Sequence, residues 1–403
     1  MKLTSILASA AAVGLSAIGM AGAQQTQPAC SSIYTRKELL SLTSSEWTLI
    51  KSILAAMQRD GWFPWFAYLH NQWFGSIHGN SQFFPFHRRF VYEWERVGKM
   101  YNAGFFQPYW DEMRDYRVPA SSQVLTSNWV GGNGQGSNWC VANGNQAGWT
   151  MTYPNSHCFS RNFGNNGNPS AWYSPETINS FIQSDTTMTQ FRPDIEYTLH
   201  GVVHINIGGD MLQGYSPNDW IFMLHHANLD RLWWQWQQNG RLWTMDGPNA
   251  GGGSISLSSN IAYFNEPVRT VMQLGYGSMC YQYASNPLSR RSLDPDMDQR
   301  LAVALPKDIL DKWFPETAQT EIANITDSVI HTVNAISASV ANTVNQITNF
   351  VQAQPFKPIP YPARLTDAWI KMHKFNPADV NKVEQRSRDL IDVLNKAKYR
   401  SPY

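Results

Sequence analysis

The chain has 403 residues, and 31 Lys+Arg against 30 Asp+Glu leave a formal net charge of +1, which argues against a binder of polyanions. Only 15% of residues are charged while 43% are hydrophobic and 13% aromatic, enough apolar material for a large core, so global disorder is excluded. No internal apolar run is long enough for a membrane-spanning helix.

Lys2 precedes a small-residue apolar run from Ile6 to Met20, closed by Ala21-Gly22-Ala23. Residues 1–23 therefore read as a secretory signal peptide, and the rest of the chain is expected to be extracellular. Cys30, Cys140, Cys158 and Cys280 form an even set that suits an oxidising compartment and leaves the pairing open. The sequon Asn324-Ile325-Thr326 makes Asn324 a candidate glycosylation site.

Thr43 and Glu46 form a capping-box signature, and Leu49, Ile50, Ile53, Leu54 and Met57 follow at helical spacing, predicting a helix over 44–58. A second helix is expected to start near Pro85 and to end before Asn102-Ala103-Gly104. Between them the segment holding His70 and His78 is too irregular to assign. Residues 121–168, rich in Gly, Asn and Ser, read as a long loop. Helical character returns over 195–204, and Ser216, Pro217 and Asp219 predict an N-cap, an N1 proline and a first-turn carboxylate for a helix reaching Gln237.

Residues 240–259 are another loop. Apolar residues at steps of three and four from Ile322 to Val351 predict one or two amphipathic helices. Pro355 to Pro362 is a proline-rich linker or arm, and a last helix is expected over 378–396. The fold class is mainly α: a helical bundle core with long loops, few short strands and a C-terminal extension. The expected division is a catalytic domain over 24–289 and an extension over 290–403.

Seven of the ten histidines fall in residues 70–87 and 200–226. Imidazoles that hydrogen-bond singly in a core do not explain such clustering inside Trp- and Phe-rich segments, whereas metal ligation does. His200 and His204 are four apart and share one helical face. The sequence HGVVH lacks the glutamate of the zinc-protease motif. Two all-imidazole sites of three histidines each suit a dioxygen-binding copper pair best among copper, zinc and iron.

At these residues the sequence resembles the type-3 copper proteins, that is, tyrosinases, catechol oxidases and more distantly haemocyanins. The resemblance covers residues 36–283. It is carried by His70, His78 and FFPFHRRF with His87, by Glu95 and Pro108-Tyr109-Trp110-Asp111, and by HGVVH, Gly208-Gly209-Asp210-Met211, Ser216-Pro217-Asn218-Asp219 and LHHANLDRLWWQWQ. It implies His70, His78 and His87 as ligands of one copper and His200, His204 and His226 of the other. His225 would then act from outside the ligand set, and Asp230, four residues after His226, is placed to orient the His226 ring. Tyr281-Gln282-Tyr283 resembles the paired-tyrosine motif that ends the family's catalytic domain, and Arg36 the arginine that packs against it.

The expected disulfides are Cys30 with Cys280, tying the N-terminal segment to the paired tyrosines, and Cys140 with Cys158, closing a local loop. His157, His331 and His373 are expected to lie outside the copper sites. The family activity implied is oxidation of phenols by O2, with catechols giving up two electrons to become o-quinones. Gly201 follows His200 where strong monophenol hydroxylases often carry asparagine, which with a glutamate, here Glu196, holds a water that deprotonates the phenol.

The resemblance therefore implies an o-diphenol oxidase with weak or no monophenol hydroxylation, acting on a phenolic substrate and O2 with no nucleic-acid or membrane partner. The segment around Leu212 and Gln213 is expected to control access. Alternatives are a tyrosinase, an oxidase of o-aminophenols or methoxyphenols, a haemocyanin-like O2 carrier and a structural dizinc protein. Ser76 stands where fungal members often carry a thioether cysteine, and Trp220 replaces a proline usual after Asn218-Asp219. Arg290-Arg291 is a dibasic pair where larger fungal relatives are cleaved to release a covering C-terminal domain; permanent packing of the tail is the expectation for a chain this short.

Overall fold

The computed structural model describes residues 27–284, 295–319 and 355–403. The proposed signal peptide, Arg290-Arg291, Asn324, His331 and the amphipathic 322–351 segment lie outside the described residues.

Helix α1 (Ser44–Arg59) begins at the expected capping box, with Thr43 and Glu46 each accepting from the other's backbone N–H. Helix α2 (Trp62–Ile77) occupies the segment that resisted assignment. Its sequence is apolar on nearly every side, so it shows no polar stripe to mark the period, and it starts at Gly61 with φ +85° and no side-chain cap. Pro64 sits in its first turn, where no backbone N–H is needed. Helix α3 (Phe83–Tyr101) starts two residues before Pro85 for the same reason.

Helix α4 (Pro175–Ser184), capped by Ser174, was not anticipated. Helix α5 (Met188–Ile195) opens on a Thr187–Gln190 capping box and continues through a wider π turn, Glu196–His200, into α6 (Gly201–Ile207). Helix α7 (Ile221–Gln238) is later than expected. Ser216–Asn218 is a separate short turn, and the cap is Asp219, whose Oδ1 accepts from Ile221 N–H at 2.9 Å. Asp219 is itself held by Arg161 through paired contacts of 2.6 and 2.8 Å.

Helices α3 and α7 pack along each other, with α2 against α3 and α6 following the π turn, so the histidine-bearing segments share one core. Strand pairing is slight. β1 (Tyr34–Arg36) runs parallel to β4 (Tyr281–Tyr283), and β2 (Thr150–Met151) pairs antiparallel with β3 (His157–Cys158). Both expected disulfides form, Cys30–Cys280 beside the β1–β4 pair and Cys140–Cys158 across the 121–168 loop.

The C-terminal segments pack back onto this body. Helix α9 (Lys307–Trp313) abuts α4 and packs against α8 (Pro295–Ala304), and the proline-rich arm leads to α10 (Asp367–Met372) and α11 (Pro377–Lys396). Arg117 donates to Pro358 O at 2.8 Å, and the Asn395 amide pairs with the backbone of Ile359 at 2.7 and 3.0 Å. Arg386 of α11 reaches Asp185 at 2.9 Å and also pairs with Asp194. Among the described residues no helix is long and apolar enough to cross a membrane.

Candidate metal centre

The first cluster joins α2, its end and α3. His70 lies in the middle of α2, His78 caps its C-terminus, and His87 is in the second turn of α3. Their ring centroids are 5.1–5.5 Å apart. The second cluster comprises His200, at the end of the π turn, His204 in α6, and His225 and His226 in α7. Within each group one nitrogen per ring lies within 4.8 Å of all the others. The clusters meet directly: the His87 and His226 rings stack at 4.1 Å, and His78 stands 5.6 Å from His200.

Most of the rings are oriented from behind. In six of the seven, Nδ1 sits beside an oxygen: His70 by Gly214 O at 2.7 Å, His78 by Phe74 O at 3.1 Å, His87 by Phe83 O at 2.7 Å. In the second cluster the partners are Glu196 O at 3.3 Å for His200, Met211 O at 2.6 Å for His204 and a Glu112 carboxylate oxygen at 2.7 Å for His225. Nδ1–H donation to these acceptors leaves the Nε2 lone pair for a metal. Nε2 of His200, His204 and His225 and both nitrogens of His226 are buried without a hydrogen-bond partner, which a metal would relieve.

Burial also keeps these rings in the neutral, ligating form. It pushes His70 down to about 4 and His225 to about 3, and holds His78, His87, His200, His204 and His226 well below the usual histidine range, helped by neighbouring imidazoles. An all-nitrogen set of neutral imidazoles fits copper.

The structure corrects the expectation for Asp230. Its carboxylate is taken by Tyr281 OH at 2.6 Å, Tyr283 OH at 2.5 Å, Arg36 at 3.3 Å and Arg88, and makes no hydrogen bond to His226. Arg36, whose guanidinium lies 3.6 Å from the Tyr281 ring centroid, also pairs with Glu95 at 2.7 Å. Asp230 thus fastens the N- and C-terminal ends of the core. His226 is instead backed by the Phe222 ring at 4.1 Å.

Glu196 is fully buried, which raises its pKa against the opposing pull of Arg192. Its two oxygens accept from Gly79 N–H at 2.8 Å and from Arg192 at 2.5 Å. Gly201 is not beside open space: a β-carbon there would lie 2.4 Å from Leu365 and 3.1 Å from Trp369 Nε1, both of the C-terminal segment. Leu212 and Gln213 are half-buried and lie between Met211 and Gly214, whose carbonyls hold His204 and His70.

His157 remains apart from both clusters, paired with Asp210 at 2.9 Å. His373 departs from expectation. It is buried against the centre, 5.0 Å from His78 and 3.9 Å from Trp369 between ring centroids, and the Trp369 ring is 5.2 Å from His204. Sequence reasoning had no signal for this, because the contact joins segments far apart in the chain.

A family model described as the common central domain of tyrosinase matches residues 59–239. A tyrosinase-like protein of Diaporthe leptostromiformis is 32% identical over 247 residues, 54% of this chain and 62% of that relative, so the chain spans under two thirds of its length. A tyrosinase of Aspergillus flavus is 32% identical over 297 residues, 65% of this chain and 82% of the relative. The solved structure of a polyphenol oxidase from Thermothelomyces thermophila is similar at a TM-score of 0.53 and 22% identity, covering 63% of this chain and 89% of that one; at that identity the likeness concerns the fold.

Proposed function

The chain belongs to the tyrosinase family of dicopper oxidoreductases acting on phenols, and from that premise we propose that it is a secreted o-diphenol oxidase producing o-quinones with O2. We assign His70, His78 and His87 to one copper and His200, His204 and His226 to the other. The copper pair, when bound, supplies the redox chemistry that couples catechol oxidation to O2 reduction. The protein's own groups hold the neutral imidazoles of His70, His78, His87, His200 and His204 through their Nδ1 contacts and that of His226 against Phe222, and exclude water with Phe83, Phe90 and Phe222, which line the rings.

The observation that carries the preference for catechols is the surroundings of His200. Beside it Gly201 offers no polar side chain, and Leu365 and Trp369 occupy the adjoining space. Glu196, one helical turn before His200, is engaged by Arg192 and Gly79. A monophenol must lose its proton before hydroxylation, whereas a catechol is more readily oxidised and depends less on a proton relay. Glu196 still has lone pairs for a water, which is what favours the second reading, a tyrosinase with monophenolase activity.

Rates on tyrosol against hydroxytyrosol, with copper-loaded protein, test the proposal. Much faster turnover of hydroxytyrosol is expected, and comparable rates would overturn it; reversible O2 binding without catechol turnover would indicate a carrier. Secretion is supported by the two disulfides, and detection of the protein in the culture medium checks it.

A further inference from the structure

Pro193 interrupts the hydrogen-bond ladder of α5, since proline has no backbone N–H to give, and the chain then widens into the π turn Glu196–His200. Such turns are rare and recur at functional sites. The first residue of this one touches both clusters. The backbone oxygen of Glu196 lies 3.3 Å from His200 Nδ1. Its fully buried side chain accepts at 2.8 Å from the N–H of Gly79, the residue directly after His78 and 117 positions away in the chain.

The other carboxylate oxygen is held at 2.5 Å by Arg192, one turn earlier and itself buried. Both oxygens are thus fixed by donors from different segments. The bond at Gly79 joins the end of α2 to the π turn where the His78 and His200 rings face each other, 5.6 Å apart between centroids and inclined by 25°. The charge of the carboxylate makes this bond stronger than a neutral one. Relaying a proton does not require a tie to the residue after a ligand, whereas positioning that ligand does. We propose that Glu196, fixed by Arg192, is a positioning residue: it braces the His78 segment against the His200 segment and so sets the separation of the two copper sites. This rests on the dicopper assignment above.

Spin coupling reads that separation without recourse to activity. Two Cu(II) ions held together across a shared bridge pair their spins and give no EPR signal, while ions held apart give separate signals. Full-length parent, Glu196→Asp, Arg192→Met and Arg192→Lys are loaded with two Cu(II) per chain, and EPR-detectable copper is measured against total copper. Glu196→Asp keeps the carboxylate but is one methylene too short to reach both partners. A rise of about threefold or more in the detectable fraction is expected for it and for Arg192→Met, with Arg192→Lys closer to the parent. A parent-like fraction in folded Glu196→Asp overturns the proposal even where the melting temperature falls, since only a structural role would then remain. Should that variant not fold, Arg192→Met decides, and a parent-like fraction there overturns the proposal. If the parent itself holds two coppers without coupling, the dicopper assignment fails as well; coupled copper in parent and variants alike removes the brace and leaves that assignment standing.

Discussion

Leu365 stands where a side chain on Gly201 would begin, with its Cδ2 only 2.4 Å from the position of an added β-carbon. The absence of an asparagine beside His200 is therefore matched by an apolar side chain from the C-terminal segment. Gly201→Asn cannot simply install a water-holding amide, because Leu365 and Trp369 must first yield. The single variant is expected to lose about 1–3 kcal/mol of stability through overpacking and to gain no monophenolase activity. The double variant Gly201→Asn/Leu365→Ala should recover stability and raise the tyrosol rate relative to hydroxytyrosol. Melting temperatures and paired rates for the singles and the double measure the coupling.

His87→Ala and His226→Ala each remove one imidazole from the stacked pair that joins the two clusters at 4.1 Å. Each should lose copper and nearly all oxidase activity while keeping the helical circular dichroism of the parent, since helices α3 and α7 are held by their apolar faces. His157→Ala should retain full copper, because its partner Asp210 lies outside both clusters. Metal analysis after exhaustive dialysis checks all three.

Asp230 is surrounded by four donors, two of them buried guanidiniums. Asp230→Asn leaves Arg36 and Arg88 with less compensation and is expected to cost about 3–5 kcal/mol. Because Asp230 does not touch His226, copper stoichiometry of the folded variant should be unchanged. Urea midpoints and copper content, measured together, distinguish this fastening role from one in orienting a ligand.

Glu38 gives a pH dependence whose sign follows from burial. Desolvation, opposed by Arg114, raises its pKa from 4.5 to about 7, and one of its carboxylate oxygens is buried without a partner. The folded state therefore holds the proton more tightly than the unfolded state. Its contribution is fully present below about 4.5 and is lost as pH rises through 7, a loss of about 1–3 kcal/mol. Glu38→Gln should raise stability above pH 7, leave it unchanged near pH 4, and flatten the profile between. Chemical denaturation across pH 4–8 checks this.

Local regularities made much of this protein readable from its sequence. The capping box at Thr43–Glu46 announces α1 because caps act within one turn. The i,i+4 spacing of His200 and His204 announces a shared face because a helix repeats at that period. Helix α2 escaped because an apolar surface on all sides carries no period, and α7 starts late because Asp219, held by the distant Arg161, supplies the cap instead of Ser216. Asp230 turns toward the Arg36, Arg88, Tyr281 and Tyr283 cluster, and Leu365, Trp369 and His373 close over the histidines, through contacts between residues far apart in the chain. Ligand type and spacing are local properties, so the chemistry proposed for the centre is legible along the chain. Its surroundings are not, because the packing of the C-terminal segment depends on surfaces that exist only once the body has folded.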